Sequence, residues 1–182
     1  MLIIKIPGLE LFDEEKEEFI ELKTTEIIIE HSLLSISKWE SKYKKPFLVN
    51  TYEKTNDELI DYIKMMTITQ KVKDDVYLRL TSENLNDISN YISDSQTATT
   101  FSSLNEDGGS NSVITSEIIY YWMISYNIPF ECQKWHLNRL LTLIRVCSIK
   151  QNPDKHKINK EDLYARYRTI NEARKKKYNT KG

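Results

Sequence analysis

The stretch from Thr115 to Ile149, TSEIIYYWMISYNIPFECQKWHLNRLLTLIRVCSI, constrains this chain most, because it holds two of the three tryptophans and both cysteines. Proline fixes its own φ and pushes the preceding residue out of the α region. Asn127-Ile128-Pro129 therefore predicts one helix ending near Asn127 and a second beginning at Pro129. The first, Ser116 to Tyr126, is apolar or aromatic nearly all round. A helix of that kind is enclosed on most sides, in a core or against a partner. It is too short to span a bilayer, which takes about 20 apolar residues. The second carries a stripe of Leu137, Leu140, Leu141, Ile144 and Cys147, with Arg139, Thr142 and Arg145 on another side, wet or paired. The pair reads as an antiparallel helical hairpin forming the core. The sharper reading is that Tyr120, Trp122 and Trp135 partly surface as an aromatic docking patch, since Trp and Tyr anchor interfaces.

At 182 residues the chain suits one domain or a domain plus a tail. The expected division is a single mostly helical domain over residues 1–150, with a flexible loop at 93–113, and a basic C-terminal helix or tail over 151–182. Gly and Pro number only 4 each, which argues against a turn-rich sandwich. The expected fold class is α+β, mostly α: short N-terminal strands, then a helical bundle. No window reaches transmembrane length, and MLIIKIPGLELFDEE lacks the marks of a signal peptide. The expected location is the cytoplasm of the cell that makes the chain, and the two cysteines are expected to be reduced.

Met1 to Ile6 reads as a strand ended by Pro7-Gly8. An acidic loop follows, then Glu18–Lys23 and Thr25–Glu30 as a β pair. Ser32 to Lys45 fits a helix through Leu33, Ile36, Trp39 and Tyr43, with Ser32 as cap and Pro46 as stop. Thr55-Asn56-Asp57-Glu58 is a capping box that opens another. Asp75 to Leu80 reads as a short helix or turn, and Ser82 to Ser93 as a further helix. The Ser/Thr/Asn/Asp/Gly composition of 93–112 marks a long loop. Asn159 is expected to cap a last helix ending in Arg174-Lys175-Lys176-Lys177.

Catalytic chemistry is sparse. Cys132 and His136, at i and i+4, can chelate a metal on a helix face, but further ligands must come from elsewhere, such as His31. A packed cysteine and a hydrogen-bonded histidine are the expected arrangement. There is no Gly-rich phosphate loop, and Asp13–Glu18 lacks calcium-loop spacing. The chain is read as a non-enzyme with no cofactor and no metal.

Charge is polarised. Residues 10–30 hold nine acids against Lys16 and Lys23, and residues 148–182 hold eleven bases against four acids. Arg174, Lys175, Lys176 and Lys177, with nearby tyrosines, are candidate partner-binding residues beside Tyr120, Trp122 and Trp135. Glu161, Asp162 and Glu172 would repel a phosphate backbone, so an acidic protein surface is the expected target, the chain's own N-terminal segment included.

The segments Glu30–Lys42 (EHSLLSISKWESK), Lys45-Pro46-Phe47, Tyr120–Ile124 (YYWMI), Ile128–Leu141 (IPFECQKWHLNRLL) and Asn171-Glu172-Ala173-Arg174 resemble a widespread group of small proteins of tailed bacteriophages. In size and helical character that group is similar to tail assembly chaperones, which bind the tape-measure protein during tail building. The resemblance implies a morphogenesis factor that shelters apolar helical segments, fits a homo-oligomer, and involves no membrane. A structural virion component, such as a tail or connector protein, is the second reading. A nucleic-acid-binding phage protein using the basic C-terminus is the third.

Overall fold

The computed structural model describes residues 1–13, 17–49, 53–100, 113–151 and 160–178. Short antiparallel strands lead into helices, so the class is α+β and mostly α, as expected. Strands β1 (Leu2–Ile6), β2 (Leu9–Asp13), β3 (Glu18–Leu22) and β4 (Thr25–Ile29) form an out-and-back ribbon. β1 pairs with β4, Leu2 opposite Ile29, and β2 pairs with β3, Leu9 opposite Leu22. Two expectations are corrected here. The segments 18–23 and 25–30 do not pair with each other, and the acidic loop after Gly8 begins as a strand. Lys23-Thr24 lacks the Gly or Asn that a two-residue hairpin turn requires, so the chain runs straight through it.

The ribbon is interrupted where Pro7-Gly8 faces Lys23-Thr24. A Cβ on Gly8 would lie 2.7 Å from the Leu22 carbonyl oxygen, so glycine is needed at this close approach. Arg79 Nη1 bridges the interruption, donating to the carbonyls of Pro7 at 2.7 Å and Lys23 at 3.3 Å. Below it, Ile4, Ile6, Ile27 and Ile29 face inward and are buried. The end of β4 then meets two other segments. Glu30 N donates to Met66 O at 2.9 Å, and Leu137 N donates to His31 O at 2.7 Å.

The helices are α1 (Leu33–Tyr43), α2 (Asn56–Met66), α3 (Asp74–Leu78), α4 (Ser82–Ser93), α5 (Ser116–Ser125), α6 (Leu137–Gln151) and α7 (Lys160–Tyr178). Ser32 and Thr55 cap α1 and α2 as expected, and Thr81 with Asn84 closes a third reciprocal cap on α4. The hub is α1, which packs on α2, on α5 and on a 3₁₀ turn at Phe130–Lys134. Its buried Glu40 accepts from Phe47 N and from Ser116 N, both at 2.8 Å. It thereby supplies the α5 N-terminus with the acceptor that Thr115 does not.

A third corrected expectation concerns the break after Asn127. α5 stops there as predicted, with Asn127 left-handed at φ 53. The next α-helix, however, begins at Leu137, not at Pro129. Trp135 is extended (ψ 162) and His136 forms a bridge with Ser32, which ends the 3₁₀ turn before α6 starts. Cys132 and His136 therefore do not share a helix face, and Cys132 and Cys147 do not share a helix.

On α6, Leu137, Leu140 and Ile144 are buried, while Leu141 and Cys147 are only partly covered. Leu140→Ala should therefore cost about 2–5 kcal/mol in urea unfolding, and Leu141→Ala clearly less. Equal losses would mean that the covered side of α6 is misassigned. Residues 101–112 of the expected loop and the expected cap Asn159 lie outside the described residues. No helix among the described residues is long and apolar enough to cross a membrane.

Candidate protein-binding site

α5 was expected to be enclosed on most sides, and only one side of it is. Ser116, Ile119 and Met123 are buried against α1 and its surroundings. The opposite arc is uncovered, with Tyr121 66% and Ile124 61% exposed. At about 100° per residue these two sit within one turn of each other on the outer side. Phe130, on the following 3₁₀ turn, is also more than half exposed. Three large apolar side chains thus face water on one helix–turn unit, which makes it the candidate interaction surface.

The expected aromatic residues flank this arc and do not head it. Tyr120, half-buried, donates to Gln133 Oε1 at 2.8 Å, and its ring is 6.3 Å from that of Phe130. Trp122 lies on the other flank. With Tyr126, Leu141, Ile144, Arg145 and Ser148 it lines a groove of about 350 Å³ between α5 and α6. Trp135 is half-buried at the end of the 3₁₀ turn, with the Arg139 guanidinium 4.4 Å above its ring. The structure thus gathers Tyr120 and Trp122 on two sides of one helix. Arg174, Lys175, Lys176 and Lys177 belong to another element, α7, where all four are exposed.

Sequence reading did not single out Tyr121, Ile124 or Phe130. Every position of YYWMI looks equally apolar, so the uncovered arc could not be chosen without knowing where α1 packs. The polar neighbours Glu117 and Ser125, which share the exposed side, were the available signal.

The histidines singled out from the sequence do meet, in the interior. His31 and His136 are buried with ring centres 5.2 Å apart, edge to face. His136 Nε2 lies 3.0 Å from the Tyr91 carbonyl, and Asn138 N points at His136 Nδ1 from 3.3 Å. The carbonyl can only accept, so Nε2 carries the hydrogen and Nδ1 caps the first turn of α6. His31 Nδ1 is 2.6 Å from the Tyr62 hydroxyl. Tyr91 in turn donates to Glu30 at 2.5 Å. Burial lowers His31 to about 4, reinforced by His136. Burial lowers His136 too, against the opposing bond to Tyr91 O. Both rings are therefore neutral near pH 7, and their contacts join the end of β4, α2, α4 and the start of α6. Cys132 is packed in the hydrophobic core cluster, and burial raises its thiol.

No family model, no curated protein and no solved structure matches the chain.

Proposed function

We propose that this chain is a non-enzymatic assembly factor of tailed bacteriophages, a tail assembly chaperone that holds an apolar helical segment of a tape-measure-type tail protein. The supporting observation is the uncovered arc of α5, where Tyr121 and Ile124 face water on a helix whose other side is core. A partner helix laid along this arc would cover both residues, and the adjacent groove at Trp122 and Tyr126 offers a recess for one anchoring side chain. The class of partner comes from the sequence resemblance, two of whose segments, YYWMI and IPFECQKWHLNRLL, lie on α5, the 3₁₀ turn and the start of α6.

Co-expression tests the reading. A tape-measure protein made with this chain should stay soluble and co-purify with it, and purified virions should lack the chain by mass spectrometry. Presence in virions at stoichiometric amounts would favour a structural tail component instead.

A further inference from the structure

The outer half of the β ribbon is apolar, acidic and exposed, and the chain contains one element complementary to it. From Leu9 to Leu22 there are seven acids against Lys16. The cross-strand register sets Glu10 opposite Glu21 and Asp13 opposite Glu18. Directly opposed like charges destabilise a pair of strands, and a two-stranded ribbon is marginal in water without cover. On the face shared by Glu10 and Glu21, Phe12 and Phe19 meet with ring centres 5.0 Å apart and planes tilted by 57°, and Phe19 is 70% exposed. This face joins a pair of repelling carboxylates to a pair of uncovered aromatic rings.

α7 has the opposite character. It carries seven bases against three acids. Helical spacing puts Tyr164, Tyr167, Arg174, Lys175 and Tyr178 within about a third of its circumference, and all five are exposed. From Tyr164 to Tyr178 is about 21 Å along the helix, against about 14 Å for the five residues of one ribbon strand. The helix can thus span the whole outer ribbon.

We propose that α7 of one copy docks on the Glu10/Phe12/Phe19/Glu21 face of the ribbon of a second copy. Arg174 and Lys175 sit between the opposed carboxylates and relieve their repulsion, while the tyrosines cover the phenylalanine pair. Each copy has both elements, so the contact is either reciprocal in a two-fold pair or repeats head to tail from copy to copy. It does not depend on the α5 surface being a client site.

Two charge reversals test this with the full-length chain. One variant carries Glu10→Lys and Glu21→Lys, the other Arg174→Glu and Lys175→Glu. All substituted side chains are exposed, and circular dichroism should report unchanged helix content. By sedimentation velocity at about 50 mM salt, where surface charges are weakly screened, the unaltered chain should associate. Each variant alone should bind itself about tenfold or more less tightly, a change of about 1.4 kcal/mol. The two variants mixed should recover association, since each then offers the charge that the other lacks, and a chain carrying all four reversals should self-associate again. A monomeric unaltered chain at about 0.1 mM would overturn the proposal; at that concentration a contact with a Kd near 0.1 mM would be half formed. Failure of the mixture to recover would overturn it equally, and would assign the complementary charges to a different partner or to contact within one chain.

Discussion

Trp39→Ala is expected to lower stability by about 3–5 kcal/mol. Trp39 is fully buried on α1, the hub of the fold. Its Nε1 donates to Glu58 O at 3.0 Å, which ties α1 to the first turn of α2. Its ring lies 4.8 Å from Tyr43 and 5.1 Å from Phe47. Alanine there removes the volume on which three segments meet and leaves a cavity that rigid helices cannot close. It also strips the Glu58 carbonyl of a partner. Trp39→Phe should lose less, because it keeps most of the volume and forfeits mainly that one bond, worth about 1 kcal/mol. Urea unfolding followed by far-ultraviolet circular dichroism measures both. A loss under about 1 kcal/mol for the alanine variant would contradict the central place of α1.

Acidification is the second large effect. The native state keeps His31 neutral down to about pH 4, whereas an unfolded histidine titrates near 6.5. Between those values the unfolded chain holds the extra proton, so stability rises with pH across that window. Going down from pH 7, stability should begin to fall near 6.5 and should have dropped by about 3 kcal/mol at pH 4 from His31 alone. His136 is lowered as well and acts in the same direction. Protonation of both rings would also set two cations side by side. The carboxylates of Glu30 and Asp94 favour the charged form of His136 and the Met1 ammonium, 3.0 Å from Glu30, opposes it. His31→Gln carries no ionisable group, so its stability should vary with pH by about 3 kcal/mol less over the same range, whatever it costs at pH 7. Parallel pH profiles for the two proteins would show that His31 does not titrate with folding.

Much of the helical layout was legible because its signals are local. Ser32 and Thr55 announce their helices by side chains that bond amides three residues on, and such geometry depends on no distant neighbour. Asn127 before Ile128-Pro129 ended α5 for the same reason. The strands were harder. That β4 pairs with β1 and not with β3 is decided 20 residues away, and only the unsuitability of Lys23-Thr24 as a tight turn hinted at it. The start of α6 was illegible in principle, since His136 takes its conformation from a bridge to Ser32 and from the His31 carbonyl, which accepts from Leu137 N. The same holds for the candidate site. Sequence marked α5 as apolar all round and named Tyr120 and Trp122, but the packing of α1 determines that Tyr121 and Ile124 are the residues left in water.

That uncovered arc gives the most direct test. An apolar helical fragment of a tape-measure protein, fluorescently labelled, can be titrated with the unaltered chain and with a Tyr121→Arg, Ile124→Asp double variant. Both substitutions are at exposed positions, so the urea midpoint should shift little. Binding by the unaltered chain, weakened about tenfold or more in the variant, is the result expected if α5 holds the client. Undiminished binding by a folded variant, or no binding by the unaltered chain, would contradict it.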